Sequence, residues 1–271
     1  MKRKLLFTLL LLNLFFLLTA GTLENKLVLF QKAEAKKFLQ PFADCAGAGL
    51  NSGTYTSAKT NTLFFPSLQF GTTMVFVPSD RKSFTIDSQK TPTLLGGKSG
   101  SLYPKGADIS VLFVPKAMLS MGLPLGNELT VLWFPELSID KEIGKISLWG
   151  VGAKHSIDQY FGDLFPVYLA AQVVYQRVDV ADIIKADALN LNMIASKGLG
   201  IIGFYGGLGY EYTEYDVQYH QAGEKINFTL QAENNVKATV GAHFDMLILN
   251  IFTDYTFANI NSLNAGISVG F

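Results

Sequence analysis

His155, His220, His243 and Cys45 are the residues of this 271-residue chain best suited to nucleophilic, acid–base or metal chemistry. His155 is followed by Ser156, a pair that would suit acyl transfer by a hydroxyl nucleophile with an imidazole base, whereas His155, Lys154 and Asp158 together read as a strand end near the headgroups. No second acid is fixed by the sequence, so the pair does not complete a triad. A single cysteine leaves no partner for an intrachain disulfide. No Gly-rich stretch opens a helix after a strand with a lysine at phosphate-loop spacing, and no Cys/His cluster has the spacing of metal ligands. The chain therefore reads as a non-enzyme, with no catalytic residues, no cofactor and no metal.

The elements that hold these residues follow from the composition. Hydrophobic residues make up 49% of the chain and charged ones 16%, with a mean hydropathy of +0.25, too apolar for an ordinary soluble domain. A helical span needs ~18 apolar residues in a row, and beyond the N-terminus such runs are interrupted by Lys, Asp, Asn or several Gly. Apolarity that is high in total but spread by alternation is the signature of a transmembrane β-barrel. At the N-terminus Lys2, Arg3 and Lys4 precede the apolar run Leu5–Leu18 and the small residues Thr19, Ala20 and Gly21, which reads as a secretory signal peptide over residues 1–21. An uncleaved anchor is the alternative, but the run is short and contains Thr8 and Asn13. Position 22 is Thr, so no lipidated cysteine follows the leader. Without the leader's charges 19 basic residues stand against 22 acidic ones, which gives no electrostatic case for nucleic acid.

Period-two alternation is clearest at the C-terminus, where Leu263, Ala265, Ile267, Val269 and Phe271 alternate with Asn264, Gly266, Ser268 and Gly270. This resembles the last strand of Gram-negative outer-membrane proteins, whose final Phe is read by the barrel-assembly machinery; Phe271 would be that signal. Val236 to Met246 alternates without a break, and shorter runs recur around Leu68–Phe76, Leu169–Tyr175, Leu189–Ala195 and Ile202–Tyr215. A soluble sandwich would share the period. Trp133, Phe134, Trp149, Tyr168, Tyr210, Tyr212, Tyr255 and Phe257, however, fall mostly near strand ends, as interfacial girdles do.

Eleven strands can be counted, near 46–57, 67–77, 117–123, 128–134, 145–155, 167–177, 188–197, 201–215, 236–245, 248–258 and 263–271. An even number is required if both ends lie in the periplasm, so a further strand is expected within 80–115. The expectation is an all-β, antiparallel transmembrane barrel of about 12 strands, with 10–14 allowed, over residues 46–271. Pro124–Asn127, the region of Lys197-Gly198 and Asp245–Ile248 read as tight periplasmic turns, and 216–235 as an outward loop. Residues 22–45 read as an amphipathic helix ended at or soon after Pro41. Phe30, Phe38, Leu39 and Phe42 would be its apolar face, and the helix either plugs the lumen or lies on the periplasmic membrane surface.

Several short stretches, Asn51-Ser52-Gly53-Thr54-Tyr55-Thr56-Ser57-Ala58-Lys59, Gly122–Leu129, Trp149–His155 and Tyr205–Tyr210, resemble a family of Gram-negative outer-membrane barrel-like proteins of unknown function. The resemblance implies a barrel and no established activity. A weaker, fold-level likeness is to the long-chain fatty-acid channel family, in which an N-terminal segment plugs the barrel. His155-Ser156 is similar to the His-x-Ser arrangement of outer-membrane lipid deacylases, but the spacing is off by one.

Two functions are compatible with this reading. One is a passive outer-membrane channel for small hydrophobic molecules, gated by residues 23–42 and lined by Gln69, Thr73, Gln172, Gln176, Asn190, Asn192, Lys237, Thr239, His243, Asn250 and Asp254. The other is a structural or interaction barrel, an adhesin or secretion partner, acting through loops 80–115 and 216–235. Either places the protein in the outer membrane of a Gram-negative bacterium, with lipid and the assembly machinery as partners, and the first adds a small hydrophobic ligand.

Overall fold

A computed structural model describes residues 20–97, 103–140, 144–162, 166–180 and 183–270. Most of the expected leader, and Phe271, the expected assembly signal, lie outside these residues. Two helices come first, α1 (Ala20–Leu27) and α2 (Lys32–Asn51), followed by thirteen strands among the described residues. These are β1 (Pro66–Phe76), β2 (Ser83–Ile86), β3 (Gln89–Pro92), β4 (Val111–Leu123), β5 (Asn127–Asp140), β6 (Gly144–Ser156), β7 (Tyr168–Val180), β8 (Ile184–Leu199), β9 (Ile202–Gln221), β10 (Glu224–Gln231), β11 (Val236–Met246), β12 (Leu249–Phe257) and β13 (Ser262–Val269).

Ten of these strands close into one antiparallel ring in the order β1-β4-β5-β6-β7-β8-β9-β11-β12-β13, shut by pairing of β13 back onto β1 from Leu68↔Val269 to Val75↔Ser262. The count is ten, not twelve, for two reasons. Residues 46–51 of the expected first strand are the end of α2, and the described residues between β1 and β4 hold only the small β2–β3 hairpin, which pairs with itself, and no further ring strand. The barrel therefore begins at Pro66, not residue 46. β10 stands outside the ring: it pairs only with the distal half of β9, from Glu224↔Gln221 to Gln231↔Glu214, after which the chain breaks and resumes as β11 against the proximal half.

The two ends of the ring differ. At one, β4–β5, β8–β9 and β11–β12 are joined by two- or three-residue turns and β6–β7 by the longer connection 157–167, and both the start of β1 and the end of β13 lie there. This turn end includes the tight turns read from the sequence at Pro124–Asn127 and Asp245–Ile248. The opposite, loop end carries β2–β3 and the β9–β10 hairpin.

Polarity inverts along the barrel axis, and β9 shows it most plainly. In its proximal half Phe204, Leu208 and Tyr210 are exposed while Glu211 and Thr213 are buried; in its distal half Tyr215, Val217 and Tyr219 are buried while Glu214, Asp216 and Gln218 are exposed. Because a strand's side chains alternate faces, this exchange at residues 211–214 changes the environment of the same wall without changing its register. On β7, Val173 is exposed where Arg177 and Asp179 follow at the same face, and Arg177 is held to Asp187 of β8 by a two-pronged ion pair at 2.7 and 2.8 Å. The level of inversion is marked by aromatic side chains: Trp149 lies against Tyr175 at 5.6 Å, Phe76 against Tyr255 at 6.3 Å, and Tyr255 against Phe257 at 4.7 Å.

Inside the ring runs α2. Pro41 does not end it: the proline sits within the twenty-residue helix, buried, and beside it the Phe38 carbonyl accepts a hydrogen bond from the Leu94 N–H at 3.0 Å, a partner from the loop where proline loosens the helical ladder. The Ala- and Gly-rich stretch from 46 to 49 lets α2 fit against the wall. A Cβ on Gly47 would stand 2.8 Å from Ala232 Cβ, and one on Gly49 would stand 2.5 Å from Val114 Cγ2. That same small-residue alternation is what makes 46–57 read as a strand in the sequence.

Candidate functional site

The interior has an apolar half and a polar half, and α2 spans both. Toward the loop end Phe38, Leu39 and Phe42 are buried, Phe30 meets Phe38 at 4.9 Å and stacks on Tyr103 at 5.7 Å, and Leu94, Leu95, Tyr219, Phe228 and Leu230 complete the core. Burial of each such side chain is worth about 1.5–3 kcal/mol, so this half supplies most of the docking energy of the helix. The four residues expected as the plug's apolar face thus pack against the loop-end wall and against Phe84, Leu94, Leu95 and Tyr103, not against the polar lumen. Asp44, on the neighbouring face, pairs with Arg81 at 2.8 Å and accepts from Gln40 and from the Glu233 N–H; burial raises its carboxyl pKa, and these donors act against that.

The lower half is polar and grips backbone. The last carbonyls of an α-helix have no internal partner and carry about half a negative charge between them. Here the Leu50 carbonyl accepts from Gln176 Nε2 at 2.8 Å and from Lys116 Nζ at 3.0 Å, and the Asn51 carbonyl accepts from Asn190 Nδ2 at 2.7 Å and from Lys237 Nζ. Lys116 Nζ also reaches the Ser52 carbonyl. Two buried ammonium groups and two amides therefore neutralise the helix end from four different strands, β4, β7, β8 and β11. Glu211 stands 3.3 Å from Lys237, and Asp254 accepts from Asn264 at 2.7 Å and from the Tyr205 hydroxyl at 2.9 Å, which balances the lysines with buried carboxylates.

Below the helix the chain is tied twice more as it descends to β1. Gln172 Nε2 donates to the Thr54 carbonyl at 2.9 Å, and Asn192 Nδ2 donates to Gln172 Oε1 at 3.0 Å. Nearer the turn end the Ala58 N–H donates to Ser196 Oγ at 3.0 Å, Lys154 donates to the Lys59 carbonyl at 3.0 Å, and Glu128 holds both Lys154 at 3.0 Å and the Asn61 N–H at 2.8 Å.

Of the residues expected to line the lumen, Gln172, Gln176, Asn190, Asn192, Lys237 and Asp254 converge around Leu50–Thr54. Gln69 and His243 do not join them. Gln69 lies on the inward side of β1 near the turn end, and His243 packs over Gly203 and bonds Asn250 at 3.0 Å beside Asp245. The polar site also includes Lys116, Glu211, Lys154 and Glu128, which the sequence pattern did not single out for the lumen. Lys116 was legible as the one cation in the phase Leu112, Val114, Lys116, Met118, but Pro115 beside it reads as a break. His155 and Ser156 do not meet as nucleophile and base: His155 is held by Asn127 at 2.8 Å and the Tyr160 hydroxyl at 2.9 Å, while Ser156 donates to Asp158 at 2.9 Å.

Cys45 offers a direct probe of this site. It is fully buried on α2, and burial pushes its thiol pKa up to about 12, whereas alkylation requires exposed thiolate. The folded protein should take up less than one-tenth of the maleimide at pH 8 that the urea-unfolded protein takes up in the same time; rapid labelling of the folded form would show that α2 leaves the lumen readily.

These features define a closed ten-stranded barrel whose lumen is filled by its own N-terminal segment. The chain belongs to a family of unknown function, DUF6588, whose model matches residues 1–271. No curated protein matches it. Solved structures similar to it include the translocator domain of the autotransporter NalP from Neisseria meningitidis, at 10% identity over 78% of this chain and 89% of that one, with a TM-score of 0.38. Outer membrane protein AlkL, solved in DMPC bilayers, is similar at 12% identity over 80% and 94% of the two chains, with a TM-score of 0.35. The N-terminal barrel domain of Pseudomonas aeruginosa OprF is 10% identical over 54% and 98%, with a TM-score of 0.27.

Proposed function

We propose that this protein spans the outer membrane of a Gram-negative bacterium, turn end toward the periplasm, as a barrel closed at rest by α2 and opened to small hydrophobic molecules when the lower end of α2 is released. The observation that carries the gate is the grip of Lys116, Gln176, Asn190 and Lys237 on the Leu50–Ser52 carbonyls: the four donors hold backbone at one level, so changes at that level loosen the helix end. The apolar interior of the loop end supports the cargo class, since a solute arriving from outside meets it first. The wall below, with apolar residues outward and polar ones inward over the proximal half of β9, suits lipid.

The turn end supports the same membrane setting. Phe64, Leu125 and Leu247 have φ of 61°, 61° and 54° and are 62%, 81% and 104% exposed. Left-handed backbone costs a bulky residue roughly 1–2 kcal/mol, and a water-facing turn would take Gly or Asn there; apolar side chains at these tips fit burial among lipid headgroups. In this reading Phe271 is the assembly signal, the assembly machinery and lipid are the partners, and the protein performs no enzymatic step.

Liposome permeation tests the gate. Protein lacking residues 20–51 should admit small solutes at least tenfold faster than the intact chain, both having first been shown to run faster unheated than boiled on SDS gels, as closed barrels do. Equal permeation would remove the gate. A second reading, an interaction barrel acting through 80–115 and 216–235, is favoured by one observation: the distal half of β9 with β10 forms a wettable wall around an apolar core, which is the pattern of a folded head outside the bilayer. Deleting 216–235 would then abolish partner binding and leave permeation unchanged.

A further inference from the structure

We propose that the barrel holds its own N-terminal segment across the membrane, so that α1 and the residues after it lie on the outer face. The proposal rests on the membrane orientation argued above. The geometry that carries it is the direction of the threaded chain. β1 starts at the turn end, with Pro66 opposite Met121, yet the segment before it rises through the ring and emerges at the loop end. There Glu24 Oε1 accepts from the His220 N–H at 2.9 Å, and Gln221 Nε2 donates to the Val28 carbonyl at 2.8 Å. His220 lies eight residues beyond Tyr212, the aromatic at the level where polarity inverts, or about 26 Å along the strand and about 20 Å along the axis at a ~35–45° tilt. α1 is therefore seated well above the belt that faces lipid.

Closure leaves no sideways route. β13 and β1 pair over eight residue positions, so the segment 52–65 passes inside a continuous ring of backbone hydrogen bonds. The fourteen residues of this segment can span at most about 50 Å when extended, enough to connect mid-lumen to the turn end. A chain delivered from the periplasm reaches this arrangement only if α1 and α2 travel up the lumen, or if the barrel closes around them. Either route moves the segment from Thr22 to Phe30 from the periplasmic side to the outer side. The segment carried across is a piece of this chain, which stays attached through α2 and fills the lumen.

Impermeant maleimide on intact cells tests this. In a Cys45→Ser background, single cysteines are placed at Leu29→Cys beside α1, Glu224→Cys in the β9–β10 hairpin, and Tyr160→Cys at the turn end, each variant being checked for the unheated gel shift. The expected result is labelling of L29C and E224C on intact cells to at least tenfold above Y160C, which labels only after the outer membrane is permeabilised. E224C labelled on intact cells with L29C labelled only after permeabilisation would overturn the proposal and leave the barrel's orientation standing. Y160C labelled on intact cells with E224C protected would instead overturn the orientation, and with it this proposal. No labelling of any of the three on intact cells would remove both.

Discussion

Lys237→Met is expected to lower the stability of the barrel by about 3–5 kcal/mol, the loss typical when one member of a buried ion pair is removed and the other is left. Lys237 and Glu211 are both buried and 3.3 Å apart, and Lys237 Nζ also donates to the Asn51 carbonyl at the end of α2. Methionine keeps the length of the side chain and abolishes the charge, so the loss falls on the Glu211 carboxylate and the helix end. Adding Glu211→Gln should recover most of it, because no buried charge then remains unmatched. A residual deficit of about 1 kcal/mol is expected for the lost donor to Asn51. Urea titrations followed by the gel shift would give these differences, and a Lys237→Met midpoint indistinguishable from wild type would refute the role assigned to the lysine. The same variant should raise Cys45 labelling, since freeing the helix end is the proposed gating step.

Gly49→Val should displace α2 from the lumen. The first added carbon already falls 2.5 Å from Val114 Cγ2 and 3.1 Å from Val75 Cγ2, both on strands of a closed wall that cannot spread at one point. Overpacking of this kind costs about 1–3 kcal/mol where neighbours relax, and here two further methyl groups meet a wall that relaxes little. Helix propensity works the other way but is weaker, glycine being about 1 kcal/mol poorer than alanine in a helix interior. The expected readout is maleimide uptake at Cys45 rising at least tenfold in the otherwise folded barrel, with permeation rising in parallel. Val114→Ala in the same chain removes the clashing methyls and should restore protection. Failure of that rescue would place the effect elsewhere than at the helix–wall contact.

What the sequence determined by itself was the wall. Alternation specifies which side chains of β7, β8, β9, β11 and β13 face inward, because the period of a strand is two wherever it is placed, and Gln172, Asn190 and Lys237 are inward for that reason alone. The apolar spacing of residues 23–42 determined a helix before the barrel for the same local reason. Closure at ten strands could not be read this way, since 46–51 carries small residues equally suited to a strand and to a helix pressed against a wall, and only the space inside the ring decides between them.

The tertiary structure also decided which end of the barrel receives α1, and what the inward polar residues are for. Gln176 meets Leu50 across 126 positions of sequence and Lys237 meets Asn51 across 186. Such partners are chosen by closure of the ring and by its register, which are properties of all ten strands together. A lysine facing a lumen and a lysine neutralising a helix end have the same local sequence; the difference is the backbone that the fold brings to them.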